Sequence, residues 1–239
     1  MMLLSLDFET TGLDFEKDRV IEVGAVLYST GQKKCIENLG CLVSSDVPVT
    51  AEITDITGIY QTALDKFGWS QEDAYGNLDF LIDSADIIVG HNVLRFDKNM
   101  YESWSRRMKQ AATEKLWVDT MIDIKGHEGK KLSYLAADHG IINPFPHSAL
   151  ADAQTVLTVV ARYDIDVLIA RSKTPTVYIQ AHHQRSQNEL VKKQKFRWNP
   201  QHKIWWKAVK ETDIGELEKM CQFPIGYAPK EITHDLLSS

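Results

Sequence analysis

Three cysteines in 239 residues, with no CxxC pair among them, exclude a zinc ribbon and a disulfide framework. Cys35, Cys41 and Cys221 are expected to be reduced thiols in a cytoplasmic protein. No apolar run reaches the roughly 18 residues that a transmembrane helix needs, so no membrane partner is expected. The opening MMLLSLDFE has no basic residue ahead of its apolar stretch and meets acids at once, which predicts no secretory leader. There is no internal repeat and no low-complexity segment, so a solenoid or a disordered linker protein is excluded. Acidic residues are scarce in one region only. Arg171–Lys210 holds ten Lys/Arg and one acid, Glu189, a net +9 that leaves −15 on the rest of the chain against the overall −6. An acidic front and a basic back predict two modules, one suited to cations and one to a phosphate backbone.

What is present reads as alternating structure. Residues 2–8, 20–29 and 35–43 are predicted strands, followed by an irregular loop from Pro48 to Gly58. Residues 71–83 have helical spacing through Ala74, Leu78, Leu81 and Ile82. A short buried strand follows at 86–90, an amphipathic helix at 94–112 and a fifth strand at 116–120, then helices at 132–139 and 148–163. This order predicts an α/β fold, a mixed β-sheet flanked by helices, over residues 1–170. Ser172–Pro175 reads as a linker. Residues 176–223 read as a small basic, aromatic-rich α+β module of order β-α-β-β-α, and 224–239 as an irregular tail.

The chemistry is expected where strands end and helices begin. Asp7 and Glu9 close the first strand two residues apart, so period-two geometry sets both on one face. Two carboxylates held that close repel, and a divalent cation removes the conflict. His91-Asn92-Val93-Leu94-Arg95-Phe96-Asp97 follows the 86–90 strand. His147 and Asp152 stand five apart across a loop and the first turn of a helix, where the dipole favours an anion. His91 and Asn92 are read as braces of a turn, Asp119 as a helix cap or a support of the site, and Asp123 and Asp138 as solvated.

These stretches together resemble the DnaQ-like 3′–5′ exonucleases of the DEDDh branch. Asp7–Gly12 matches Asp-x-Glu-Thr-Thr-Gly. His91–Asp97 matches His-Asn-x-x-Phe-Asp with one extra residue before Phe96, and His147–Asp152 matches His-x-x-x-x-Asp. The loop Ile56-Thr57-Gly58-Ile59 also fits, with Thr54 where the family often has His. The resemblance covers residues 1 to about 165 and implies the ribonuclease H-like fold. It implies hydrolysis of phosphodiester bonds from a free 3′ end, releasing nucleoside 5′-monophosphates. Single-stranded DNA is favoured and RNA is possible, and a polymerase or repair protein is a possible partner.

Such hydrolysis needs a nucleophilic water and stabilised attacking and leaving oxygens, and two divalent ions serve all of these needs. Asp7, Glu9, Asp97 and Asp152 are the expected metal ligands, and hard oxygen donors suit Mg²⁺ or Mn²⁺. Asp7 is expected to bridge both ions. Glu9 and Asp152 would hold the ion carrying the water, and Asp97 would support the other. His147 is the expected general base, since an imidazole ordinarily titrates near 6.5. Thr10, Thr11, Leu13, Ile56 and Asn92 are candidates for gripping the terminal nucleotide. In the basic module, Arg197, Trp198, Lys203, Trp205 and Lys207 alternate aromatic and cationic groups, the pattern of a nucleic-acid surface. The competing reading makes Trp198 and Trp205 that module's core and the lysines its solvated face.

Overall fold

The computed structural model describes residues 1–229. It divides into two units, the second beginning at Lys173. The first is built on β1 (Met2–Thr10), β2 (Val20–Ser29) and β3 (Lys34–Leu42), an antiparallel meander with a longer connection after β1 and a short turn after β2. Helices α1 (Ala51–Thr57), α2 (Gln61–Phe67) and α3 (Gln71–Ser84) lead to β4 (Ile87–Gly90). Then come α4 (Asp97–Arg107), β5 (Leu116–Asp119), α5 (Thr120–Asp123), α6 (Leu132–Asp138), α7 (Ala149–Val160) and α8 (Ile165–Lys173). Strands β4 and β5 add in parallel to the free side of β1, giving the mixed order β3-β2-β1-β4-β5.

β1 lies at the centre and is buried on both faces. Leu4, Leu6 and Phe8 point into a core closed by α3 and α4 through Tyr75, Leu78, Met100 and Trp104. Leu3 faces the other way, toward Val156, Val159 and Val160 of α7. Ser5 shares that second face and donates its hydroxyl to the Ala153 carbonyl of α7 (2.7 Å). The alternation continues along the strand, so Asp7 and Glu9 also fall on the α7 face.

Four expectations are corrected. The Pro48–Gly58 loop contains a helix, capped by Thr50 on the amide of Ile53 and ended by Gly58 at φ 73°. The 94–112 helix starts only at Asp97 and stops at Arg107. Helix α8 extends into the first half of the expected linker, ending at Lys173. Ile225–Tyr227, inside the expected irregular tail, is a strand; residues 230–239 of that tail lie outside the described residues.

The second unit holds β6 (Thr176–Ala181), α9 (Asn188–Lys193), β7 (Arg197–Asn199), β8 (Ile204–Lys210), α10 (Ile214–Met220) and β9 (Ile225–Tyr227). Its antiparallel sheet has the order β7-β8-β6-β9. Ile179, Val191, Phe196, Val209, Leu217 and Phe223 form its core. Among the described residues, no helix is long and apolar enough to cross a membrane.

Candidate active site

The fold brings the four expected carboxylates to one end of β1. Asp97, the first residue of α4, is buried, and its Oδ1 accepts the backbone N–H of Phe8 (2.9 Å). That bond locks the start of α4 onto the strand between Asp7 and Glu9. The extra residue before Phe96 is absorbed by a turn. Asn92 takes a left-handed conformation (φ 62°), and its carbonyl accepts N–H bonds from both Arg95 and Phe96. From α7, Asp152 is held by the backbone N–H of His147 (3.0 Å) and by the side-chain amide of Asn143. Ligand-capable atoms of Glu9, His147 and Asp152 lie within 4.8 Å of one another, with the His147 ring exposed. The register shift directly after Glu9 turns the chain away from the sheet at this point.

The electrostatics are those of crowded acids. Burial, then Asp97, Asp152, Glu9 and Glu22, hold the Asp7 carboxyl well above the usual carboxylate range. Burial and the neighbouring Glu22, Asp152 and Asp97 push Glu9 up to about 8. Burial raises Asp97 to about 8 against the opposing bond from Phe8, and it raises Asp152 as well. Among the described residues, no lysine or arginine ion-pairs with any of these groups. A cluster of hard oxygen donors without a protein counter-charge fits a divalent cation.

Three supporting residues escape the sequence reading or are only half seen by it. Glu22 stands opposite Glu9 on β2 and carries no motif. Its carboxylate accepts from the Ala149 N–H (3.1 Å) and the Ser148 hydroxyl (3.2 Å), so it caps α7 three residues before Asp152. A lone acid within an apolar strand, in register with Glu9, is the signal that could have found it. Asn143 has no such signal. Asp119 is fully buried and accepts from the N–H groups of Asn92 (2.8 Å), Leu94 (3.2 Å) and Met121 (2.9 Å). It is both the cap of α5 and the anchor of the turn that delivers Asp97. Asp123, expected to be solvated, is buried instead and accepts the N–H of Asp119 (2.9 Å). Asp138 is exposed, beside Lys130 and His127. His91 bonds Thr120 Oγ1 (2.9 Å), as a brace would, and burial lowers its imidazole to about 4.

The remaining candidates separate. The hydroxyls of Thr10 and Thr11 are engaged within the turn after β1, on the Gly12 carbonyl and on Asp18. Leu13 and Ile56 are 78% and 50% exposed, apolar groups with little to cover them. Arg197, Trp198, Lys203, Trp205 and Lys207 all belong to the second unit. There the core reading fails for Trp198, which is 47% exposed, while Trp206 is the buried tryptophan. Lys207 is not a purely solvated lysine, because its ammonium donates to the Gln194 carbonyl (3.1 Å).

One glycine sets the position of α7. A Cβ on Gly24 of β2 would lie 2.0 Å from the Ala149 carbonyl carbon, a backbone atom at the start of the helix. Gly24→Ala is therefore expected to destabilise the protein by about 2–3 kcal/mol and to displace Asp152 with the helix. Urea unfolding checks this against Gly31→Ala, where a Cβ would meet open space.

Relatives carry the same domain. The chain is 33% identical over 163 residues to the DNA polymerase III PolC-type of Thermotoga maritima, covering 66% of this chain and 11% of that protein. It is 28% identical over 157 residues to the 3′-5′ exonuclease DinG of Staphylococcus saprophyticus, covering 63% and 17%. Among solved structures, E. coli exonuclease I in complex with a dT13 oligonucleotide aligns with a TM-score of 0.63 at 13% identity, over all of this chain and 68% of that one. The nuclease domain of 3′hExo, a DEDDh family member bound to rAMP, aligns with a TM-score of 0.56 at 15% identity, over 67% and 90%. At these identities the likeness is one of fold, and the mixed five-stranded sheet is the ribonuclease H-like sheet of these exonucleases. Residues 4–160 match the exonuclease (RNase T) family model, well over half of the chain, and the chain belongs to that family.

Proposed function

We propose that this protein is a divalent-cation-dependent 3′–5′ exonuclease that releases nucleoside 5′-monophosphates from single strands, DNA ahead of RNA. The observation that carries the reading is the cluster of Asp7, Glu9, Asp97 and Asp152 with the exposed His147 ring beside Glu9 and Asp152. These four carboxylates are the residues that would hold the cation, and Mg²⁺ or Mn²⁺, two ions in all, suits their oxygens. Bound there, the cations supply charge stabilisation for the attacking and leaving oxygens.

The chain's own residues do the rest. His147 accepts a proton from the attacking water as its oxygen bonds to phosphorus. The bond from phosphorus to the 3′ oxygen of the preceding nucleotide breaks, and that oxygen takes a proton from solvent water to become the new 3′-hydroxyl, while His147 returns its proton to solvent. Asp119 fixes the turn before Asp97, while Glu22 and Asn143 fix the helix start and carboxylate of Asp152. Exposed Leu13 and Ile56 offer apolar contact to the terminal base, and Asn92 and the backbone at Thr10 and Thr11 flank the same end of β1.

The relatives named as a DNA polymerase and an exonuclease support DNA. The polymerase also supports a second reading, in which the chain proofreads beside a polymerase or repair partner. A cytoplasmic setting goes with either, the three cysteines being unpaired. The test compares DNA and RNA strands ending in a 3′-hydroxyl or a 3′-phosphate, with released mononucleotides identified by chromatography. The reading expects 5′-monophosphates from the 3′-hydroxyl strands and strong inhibition by the 3′-phosphate. Internal fragments from blocked strands would contradict it.

A further inference from the structure

The second unit carries a cleft of about 860 Å³ that the chemistry at β1 does not use. One wall is aromatic. Trp198 and Trp205 are cross-strand partners in the β7–β8 hairpin, with ring centroids 5.6 Å apart. Trp205 is anchored, half-buried on the unit's core and edge-on to the His183 ring. Trp198 rests on it and remains exposed to the cleft, a placement that core packing does not explain. The rim is basic. Arg185 and Lys203 line the cleft, both exposed, and neither has an ion-pair partner among the described residues. No acid lines it. The hairpin turn is fixed by the Asn199 side chain accepting the His202 N–H (2.9 Å), so Lys203 and Trp205 leave it from a defined position.

Each half of this arrangement argues against a simpler ligand. A lone anion gains nothing from an uncovered indole, and an apolar peptide gains nothing from two unpaired cations in a cleft without acids. A base with its adjoining phosphates uses both. Two other basic groups of the hairpin strands do not line the cleft. Arg197 opposes Trp206, on the sheet face away from Trp198, and the Lys207 ammonium is tied to Gln194.

We infer that this cleft is a subsite for single-stranded nucleic acid, in which Trp198 stacks a base and Arg185 and Lys203 hold neighbouring phosphates. The inference rests on the nuclease reading for the kind of polymer, but binding in the cleft needs no hydrolysis. The test is fluorescence anisotropy with 5′-labelled oligo(dT) and oligo(rU) of about 20 nucleotides. The full chain carries Asp7→Asn and EDTA is present, so the strands stay intact. Trp198→Ala is expected to weaken binding about tenfold, and Trp198→Phe to retain most of it. Arg185→Ser with Lys203→Ser is expected to flatten the slope of log affinity against log salt by about 1.4, some 0.7 for each lost phosphate contact. Lys219→Ser, an exposed lysine outside the cleft, is the charge control.

Loss on one polymer alone supports the subsite and names its sugar. Unchanged affinity in Trp198→Ala on both polymers overturns it. So does competition by polyglutamate that the tryptophan does not influence, which would make the cleft a general anion patch. Hydrolysis by the wild-type chain is measured separately. Hydrolysis without a Trp198 effect on binding removes the subsite alone, and Trp198-dependent binding without hydrolysis removes the nuclease reading alone.

Discussion

Asp7→Asn is expected to make the metal-free protein more stable while it removes hydrolysis. Asp7 is the most crowded acid of the cluster, raised by burial and by four neighbouring carboxylates. A neutral side chain of the same shape takes away that repulsion and the cost of burying its charge. In EDTA at pH 8 the gain should be about 1–3 kcal/mol, several degrees in Tm. The pH dependence follows from the direction of the shifts. A carboxyl with a raised pKa in the folded state contributes fully below its unfolded value near 4, and that contribution is lost as pH climbs through the raised value. Glu9 and Asp97 stand at about 8, so the wild-type protein in EDTA should lose stability between about pH 4 and 8. At pH 5 the advantage of the variant should therefore shrink. Millimolar Mg²⁺ or Mn²⁺ should reverse the order at pH 8, raising the Tm of the wild type and scarcely that of the variant. Hydrolysis by the variant should fall by about 10²–10³-fold or more. Thermal scans at the two pH values, with and without cation, check the whole pattern. A variant less stable than wild type in EDTA at pH 8 would mean that the cluster is not under charge repulsion.

His147→Ala should lower turnover by about 10²–10⁴-fold and leave cation affinity nearly unchanged. The prediction discriminates because the geometry permits two roles. The His147 ring lies within ligand distance of Glu9 and Asp152, so it could coordinate a cation or take a proton from water. Its exposure and its backbone, held at φ 62° with the N–H on Asp152, favour the second role. The residue is presented at the surface of the site, while its main chain positions the acid below it. Calorimetric titration with Mn²⁺ separates the roles. A base leaves the binding isotherm intact while turnover falls, and a ligand loses both together.

Much of this site was legible in the sequence because its parts stand where elements change. Asp7 and Glu9 end an apolar strand, Asp97 begins a helix, and His147 and Asp152 straddle a helix start, so local spacing places each one. The supports were less legible because they act across the fold. Glu22 meets the helix before Asp152 only through a contact 127 residues distant in the chain, at Ala149. Asp119 looks like an ordinary helix cap, and its hold on Asn92 and Leu94 depends on β4 and β5 lying side by side. Asp123 lies among Met121, Ile122 and Ile124, but an acid in a short polar-flanked stretch reads as solvated until the Asp119 N–H that it accepts is placed beside it. Helix α1 was hidden by its threonines, which suit loops, although Thr50 and Gly58 mark both its ends. In the second unit, alternation of aromatic and basic residues is visible, but only the register of β7 against β8 tells that Trp206 is buried and Trp198 exposed.

The most direct test of the central claim is a time course on 5′-end-labelled single strands of DNA and RNA, with Mg²⁺, with EDTA, and with Asp7→Asn in place of the wild type. A ladder shortening one nucleotide at a time from the 3′ end is expected, present only with wild-type protein and cation. A ladder that persists in EDTA or with Asp7→Asn, or strands left intact by wild-type protein with cation, would contradict that claim.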